Sequence, residues 1–356
     1  MKIGFYNYYN YYNNNRMFLS PLSPIGDDLS YSTYYLGNFL KNKGHEVSTI
    51  DSDEIDSYDI VVFIDLPKKS DNLFNHLKKN HHKRLYLLIF ESPLVRPENW
   101  IKKNHQIFKK IFTWDDKLVD SKKYFKFFLP NRLQSHFNLT DKKLKLCTII
   151  SGNKMTYTNE NELYTERNKA IRWFEQNHPN DFDLFGFGWD DGEPNKYLKY
   201  LILLNEFTYK VYIKIKGYLF FKKFMTPFHL KYPSYQGKID SKNKTLSNYK
   251  FSICYENATN ISGYITEKIF DCFFAGCIPI YLGAPDILNF VPKTTFIDKR
   301  NFKTYDDLYL YINTMPDSIY HEYISEIKKY LHSEAIKKFS AEYFTEIIYT
   351  NIILDK

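Results

Sequence analysis

Five polar side chains lie close together in one stretch of this chain and could bind an anionic ligand. They are Glu256, Asn257, Tyr264, Glu267 and Lys268. Lysine acts as a point charge toward phosphate, a carboxylate accepts hydrogen bonds, and an asparagine side chain both donates and accepts them. Their combination predicts a site for a phosphorylated small molecule.

A strand, a loop and a helix must position these side chains. Residues 251–255 form a short apolar run typical of a strand, and the first polar pair follows where that strand ends. An apolar face at four-residue steps then predicts a buried helix side, formed by Ile265, Ile269 and Phe273. Gly276 ends this helix before a second strand begins at Ile278. The polar residues thus gather at a strand C-terminus and a helix N-terminus, where open α/β sheets bind ligands and free N–H groups attract anions.

Composition restricts the possible partners only weakly. The chain has 356 residues and a formal net charge of +8. This charge permits an anionic ligand, a nucleic acid or a membrane surface and selects none of them. The lysines are scattered along the chain, which favours an ordinary solvated surface, and no recognised nucleic-acid motif is found.

The cysteines and the hydropathy pattern indicate a compartment. None of the four cysteines belongs to a CxxC pair, so a metal knuckle is not expected, and their low number favours a reducing environment. Neither a signal peptide nor a run of about 18 apolar residues is seen. We therefore predict a cytoplasmic protein, with peripheral membrane attachment as an open alternative.

Alternating strand and helix patterns predict an α/β protein with two parallel-sheet domains. The predicted boundaries are 1–143 for the first domain and 144–332 for the second, followed by a C-terminal helix at 333–356 that packs back on the first. Residues 197–224 form an insertion in which aromatic and apolar residues are interleaved with lysines. Such a segment can lie on an anionic membrane, or it can pack on its own domain with its lysines extended into solvent.

Residues 249–287 resemble the donor-binding signature of the α-1,3/1,4-fucosyltransferase family. The matching pieces are FSICYENA, YITEK and AGCIPIYLGAP, in the family's order and with close spacing. The likeness is strong over 144–302 and loose over 1–131, and Asn301 replaces the family's usual Asp. It implies a GT-B fold, in which two Rossmann-like domains face each other across a cleft. It also implies that GDP-fucose binds the C-terminal domain and a glycan acceptor meets the N-terminal domain.

The resemblance implies a role for each polar residue of the opening stretch. Lys268 would contact the donor diphosphate, and Glu267 would bind the ribose hydroxyl groups. Tyr264 would line the donor pocket. Asn257 would serve the sugar or fix its loop, and Glu256 would either hold the loop or contact the fucose.

The resemblance places further phosphate contacts in the second domain. Arg167 occupies the position of a family arginine that grips the diphosphate and assists departure of the leaving group, with Arg172 as the competing candidate. A guanidinium fork suits this task. Ser151 and Lys154 would complete the phosphate cradle.

An inverting transfer needs a carboxylate that takes the proton of the attacking hydroxyl group. In the family this glutamate ends a strand of the first domain before Ser-Pro, which here predicts Glu91, with Glu98 as the rival. Asp51 and Asp53 resemble a DxD metal motif, but two carboxylates alone make a poor site and no metal is predicted.

The resulting prediction is an inverting fucosyltransferase that moves L-fucose from GDP-fucose to a hydroxyl group of a glycan, in an α-1,3 linkage. It requires no cofactor beyond its donor substrate. One alternative is a GT-B transferase for another nucleotide-linked deoxysugar. Another is a catalytically silent glycan- or membrane-binding protein of the same fold. The acceptor is not predicted, because its contacts would come from variable loops such as 7–16.

Overall fold

The computed structural model describes residues 1–21, 27–67, 73, 76–77, 84–134, 143–154, 161–190 and 232–354. Within these residues the chain forms two parallel β-sheets, one in each half. The predicted two-domain α/β architecture is thus confirmed. The insertion predicted at 197–224 lies outside the described residues.

The first sheet has six parallel strands in the order β2-β1-β3-β4-β5-β6. Its strands are β1 (Lys2–Asn7), β2 (Glu46–Thr49), β3 (Ile60–Ile64), β4 (Leu85–Ile89), β5 (Lys110–Thr113) and β6 (Tyr124–Lys126). The central strands β3 and β4 are apolar and buried at every position, as expected for parallel strands covered on both faces. Two helices of this half are α1 (Arg16–Leu19) and α2 (Tyr31–Asn42). Every strand runs in the same direction, so the carboxyl ends of β3 and β4 lie side by side at one edge.

The second sheet has five parallel strands in the order β11-β10-β9-β7-β8. Its strands are β7 (Lys145–Ile150), β8 (Phe182–Phe185), β9 (Tyr249–Tyr255), β10 (Ile278–Leu282) and β11 (Ile297–Asp298). Its helices are α3 (Tyr164–Asn177), α4 (Lys242–Leu246), α5 (Glu267–Phe274), α6 (Tyr305–Asn313) and α7 (Asp317–Leu331). The central strand β9 pairs with β7 and β10 and directs its carboxyl end toward the loop that precedes α5.

The C-terminal segment differs from the single helix predicted at 333–356. It is a 3-10 helix (Glu334–Phe339), helix α8 (Ala341–Ile348) and a π-helical turn (Tyr349–Ile353). Ser340 causes the break, because its backbone is extended and bridges to Asn131, while its hydroxyl accepts a hydrogen bond from the Tyr343 amide. A residue in this conformation caps a new helix and cannot continue the previous one.

The two parts of this segment pack against different domains. Phe339 lies in the core of the second domain, whereas Phe344, Ile348 and Ile352 lie in the core of the first. The chain therefore crosses between the domains at Ser340 and ties them together by apolar burial on both sides.

Candidate active site

Polar side chains at the carboxyl ends of strands from both sheets converge on one region. Glu91 follows β4 in the first domain, and Glu256 follows β9 in the second. The charges of Lys154 and Lys268 act on the Glu91 carboxyl group across the domain boundary. The structure therefore brings the base predicted in one domain to the anion site predicted in the other.

Glu91 is held by its neighbours in the first domain. The Tyr8 hydroxyl donates a hydrogen bond of 2.9 Å to Glu91 Oε1. The Trp100 indole N–H donates to the Glu91 carbonyl oxygen at 3.3 Å. Desolvation raises the pKa of Glu91, although the Tyr8 hydrogen bond and the charges of Lys154 and Lys268 oppose the rise. A carboxylate with a raised pKa in a cleft is suited to accept a proton.

A buried acid that the sequence did not single out supports Glu91. Asp65 follows β3, is 1% exposed and has a left-handed backbone with φ of 59°. Its Oδ1 accepts hydrogen bonds from the Phe90 amide at 2.8 Å, the Glu91 amide at 3.1 Å and the Asn99 side chain at 2.5 Å. Desolvation and the nearby Glu91 raise the pKa of Asp65 to about 7. The only signal in the sequence was an aspartate at a strand end.

Glu256 has the contacts of a residue that holds its loop. Its carboxylate is fully buried, and its two oxygens accept hydrogen bonds from the Thr266 amide at 2.8 Å and the Thr266 hydroxyl at 2.7 Å. Lys268 Nζ lies 3.4 Å from Glu256 Oε2. A buried charge needs such partners, and here they fix the first turn of α5 to the end of β9.

Lys268 and Glu267 form a paired cluster at the start of α5. Lys268 Nζ donates to Thr266 Oγ1 at 3.0 Å and lies 3.8 Å from Glu267 Oε1. Lys242 of α4, which the sequence did not single out, lies 3.5 Å from Glu267 and 2.7 Å from Asp271. Desolvation alone would raise the pKa of Glu267, but Lys268 and Lys242 outweigh it and lower that pKa to about 2. Glu267 therefore stays a carboxylate at neutral pH and can accept hydrogen bonds from hydroxyl groups.

Arg167 is buried beside this cluster on α3, with 4% of its surface exposed. It donates to the Tyr255 carbonyl at 2.6 Å and to Asn257 Oδ1 at 3.0 Å. Its rival Arg172 instead donates to Glu175 at 2.6 Å and lies over the Tyr232 ring. Of the two arginines, Arg167 is the one that reaches the end of β9.

The structure gives Tyr264 a role between the domains. Its ring is buried and lies 4.7 Å from the Trp114 ring of the first domain. The preceding Gly263 has φ of 77°, and a Cβ there would lie 2.2 Å from the Trp114 carbonyl oxygen. The Asn257 amide donates to the Tyr264 hydroxyl at 3.4 Å, so the hydroxyl group faces the site while the ring packs away from it.

Ser151 and Lys154 follow β7 at the same edge. The Ser151 hydroxyl is buried and has no hydrogen-bond partner among the residues that the structure describes. Desolvation lowers the pKa of Lys154, the Lys268 and Arg167 charges lower it further, and Glu91 opposes them. Three cations thus share this region, which favours an anionic ligand.

The DxD-like pair makes contacts of a different kind. Asp51 accepts a hydrogen bond of 2.7 Å from the Asn14 amide, and Asp53 pairs with Lys2 at 3.1 Å. In the described part of the chain, no group of three or more His, Cys, Asp or Glu side chains could hold a metal ion. Among these same residues, none of the helices combines the length and the apolar composition that a membrane span requires.

Comparison with known proteins points to one family. Residues 203–351 match the family model of the glycosyltransferase family 10 (fucosyltransferase) C-terminal domain. An α-(1,3)-fucosyltransferase of Helicobacter pylori, FucT, is 45% identical over 75 residues, which cover 21% of this chain and 15% of the relative. An α-(1,4)-fucosyltransferase of Arabidopsis thaliana is 38% identical over 80 residues, covering 22% of this chain and 20% of that relative. The matches therefore span a fifth or less of either relative's length.

A solved structure extends the likeness to the whole fold. The crystal structure of an α1,3-fucosyltransferase with GDP aligns with 100% of this chain and 91% of its own, with a TM-score of 0.54 and 15% identity. At this identity the likeness concerns the fold alone. The predicted GT-B architecture, with two Rossmann-like domains facing each other across a cleft, is confirmed.

Proposed function

We propose, from the premise that residues 203–351 carry the C-terminal domain of glycosyltransferase family 10, that this chain is an inverting fucosyltransferase. The match confirms the resemblance that residues 249–287 predicted. In this proposal GDP-fucose is the donor and a hydroxyl group of an oligosaccharide or glycoconjugate is the acceptor.

The observation that carries the proposal is the convergence of cations from the second domain on a carboxylate of the first. Arg167, Lys154 and Lys268 lie at one strand edge, and Glu91 lies opposite them, within reach of the lysine charges. A reaction that releases a diphosphate while a hydroxyl group loses its proton needs these two kinds of group at a short separation.

The donor would be held by the second domain. Its diphosphate is neutralised by Arg167, Lys154 and Lys268, and the Ser151 hydroxyl, which lacks a partner within the described residues, donates to a phosphate oxygen. Glu267, ionised at neutral pH, accepts hydrogen bonds from the ribose hydroxyl groups. Because these side chains supply the positive charge that departing GDP requires, the mechanism includes no metal ion.

The transfer itself is one displacement at fucose C1. The acceptor oxygen forms a bond to C1, the bond from C1 to the GDP oxygen breaks, and Glu91 takes the acceptor proton. Attack from the face opposite GDP converts the β-linked donor into an α-linked product, in an α-1,3 linkage by analogy with the family. Tyr8 keeps the receiving oxygen of Glu91 oriented by its hydrogen bond.

Glu91→Gln tests the proposal with Glu98→Gln as its matched control. Transfer from GDP-fucose to N-acetyllactosamine, lacto-N-biose and lactose is measured alongside calorimetric binding of GDP-fucose. We expect Glu91→Gln to reduce kcat by about 10²–10⁴-fold with donor affinity retained, because an amide cannot take a proton. Glu98→Gln, on the 3-10 turn Pro97–Trp100, should transfer normally.

Other outcomes separate the alternatives. Unchanged transfer in Glu91→Gln would remove this residue from the mechanism. Transfer from a different nucleotide-linked deoxysugar, and none from GDP-fucose, would change the donor. Tight GDP-fucose binding without transfer to any acceptor would indicate a catalytically silent binding protein.

A further inference from the structure

A tyrosine-rich turn lies next to the proposed base, and the mechanism so far gives a role to Tyr8 but to no other tyrosine of this turn. It follows β1 and includes Tyr8 and Tyr9, whose ring centroids are 4.1 Å apart. Tyr8 reaches Glu91 with its hydroxyl group, and the Tyr9 ring packs against the Tyr8 ring. The Tyr9 ring is thereby connected to the proposed base Glu91 through the Tyr8 side chain.

The position of Tyr9 is fixed although its ring is open to solvent. Its amide donates to Asn7 Oδ1 at 2.8 Å, and its ring lies 6.5 Å from the buried Tyr12 ring. The neighbouring Tyr8 ring is covered by the buried Arg96, whose guanidinium lies 4.2 Å from the Tyr8 ring centroid. Even so, 39% of Tyr9 remains exposed. A preorganised aromatic surface of this kind binds at a low entropy cost.

The chemistry around the ring selects its ligand. An aromatic face carries negative charge density and attracts cations or the polarised C–H groups of a ligand. Arg96 already supplies a cation beside this turn, which disfavours a cationic ligand. A pyranose ring fits better, because one of its faces presents C–H groups while its hydroxyl groups project from the rim.

We propose that Tyr9 is the stacking platform of an acceptor subsite for a neutral oligosaccharide, with Tyr8 and Glu91 at its inner end. This proposal rests on the proposed function and specifies which surface receives the acceptor. One sugar ring packs its C–H face on Tyr9, which directs the attacking hydroxyl group of that sugar or its neighbour toward Glu91. Specificity then depends on which pyranose offers a flat C–H face next to the reacting hydroxyl group.

Tyr9→Ala tests the platform, with Tyr11→Ala as its matched control. Tyr11 belongs to the same turn and is similarly exposed, at 41%, but its ring contacts Tyr12 and not Tyr8. We expect Tyr9→Ala to raise the KM for N-acetyllactosamine about tenfold, equivalent to about 1.4 kcal/mol of lost binding, with the KM for GDP-fucose unchanged. Tyr11→Ala should leave both constants within twofold of wild type.

Tyr9→Phe and Tyr9→Trp separate stacking from loss of structure. Both keep an aromatic face, so both should keep the acceptor KM within about threefold of wild type. An unchanged acceptor KM in Tyr9→Ala would overturn the proposal. A parallel rise in the KM for GDP-fucose, or an equal effect of Tyr11→Ala, would also overturn it by placing Tyr9 on the donor side or in the general stability of the turn.

A direct measurement of acceptor binding tests the subsite without depending on fucose transfer. Saturation-transfer NMR measures contact of N-acetyllactosamine, lacto-N-biose and lactose with the wild type and with Tyr9→Ala. If wild type transfers no fucose but binds one of these sugars through Tyr9, the proposed function fails and the subsite stands. If the wild type transfers fucose and Tyr9→Ala binds the acceptor equally well, the subsite fails and the function stands.

Discussion

Carboxylates from the two domains border the candidate site, after strands β3 and β4 in the first domain and at the start of helix α5 in the second, and their surroundings are opposite. In the second domain, Glu267 lies among the ammonium groups of Lys268 and Lys242. In the first domain, Asp65 and Glu91 lie next to each other, and within the described residues neither forms an ion pair at contact distance. One edge is an acid–base cluster, whereas the other is a desolvated pair of acids bordered by tyrosines.

This difference decides the protonation state at each edge. Cationic partners lower the pKa of Glu267 to about 2, while burial and the adjacent acid raise the pKa of Asp65 to about 7. The same functional group is therefore a fixed charge in one domain and a group that titrates near neutral pH in the other. Fixed charges suit a site that holds a nucleotide diphosphate, and a titrating pair suits a site that takes a proton.

The largest loss of activity is expected from a substitution of Arg167, which weakens the cationic side of the site in the second domain. Arg167→Lys keeps one charge but cannot bond the Tyr255 carbonyl and Asn257 and still reach a phosphate. We expect kcat to fall about 100-fold and affinity for GDP to fall with it, as measured by steady-state kinetics and calorimetry. Arg172→Lys is the control, and its ion pair with Glu175 should survive the change. Equal losses in both variants would show that α3 is merely sensitive to substitution.

The sequence was most informative where the chemistry is local. Residues 249–287 have short-range strand, cap and helix signals, so β9, α5 and the polar residues between them followed from pattern alone. Glu91 was predicted from the family resemblance, since it ends an apolar strand and precedes Ser-Pro as the family's glutamate does. Asp65 was missed as its partner, since their contact requires β3, β4 and the turn bearing Asn99 to meet in space.

The packing between the two domains was the second feature that could not be predicted from the sequence. Tyr264 carries the family motif, but only the fold shows that its ring packs on Trp114 and just its hydroxyl faces the site. The break at Ser340 likewise depends on a long-range bridge to Asn131. Both features arise from contacts between residues far apart in the chain, which periodicity cannot report.

The contact between the two domains beside the site can be disturbed by a substitution of Gly263. Gly263→Ala adds a Cβ that would lie 2.2 Å from the Trp114 carbonyl oxygen, on a backbone with φ of 77°. We expect the loop before α5 to withdraw from the first domain, and kcat/KM to fall about tenfold. Gly44→Ala is a close control, because Gly44 has φ of 81° and nothing within 4 Å of the added atom.

Thermal unfolding of both variants measures the stability lost to backbone strain, which can then be separated from the activity lost when the loop before α5 is displaced. Both should lose about 1–2 kcal/mol of stability from the left-handed backbone, and Gly263→Ala should lose more because of the overlap. Activity should drop in Gly263→Ala alone. A similar loss of activity in Gly44→Ala would mean that general destabilisation, and not the fit between the domains, controls transfer.

The smallest effect, and the one that isolates the acidic edge, is expected from Asp65→Asn. The folded protein raises the pKa of Asp65 from 3.8 to about 7, so it binds this proton more tightly than the unfolded chain does. Asp65 therefore costs stability as pH rises from about 4 to about 7, and the cost is complete above that range. Asp65→Asn keeps an oxygen for the Phe90 and Glu91 amides and removes the charge. Its stability relative to wild type should consequently increase across this window.

The same substitution should leave the pKa of Glu91 close to its wild-type value, because Glu91 is already ionised where its charge raises the pKa of Asp65, and Asp65 is then still protonated. We expect the acidic limb of the kcat/KM profile to stay in place, with kcat at pH 8 within a few fold of wild type. Asp56→Asn, at an exposed position of the same domain, should change neither profile. An unchanged stability curve would show that Asp65 does not hold this proton, and a shifted acidic limb would show that Asp65 shares the proton-accepting role with Glu91.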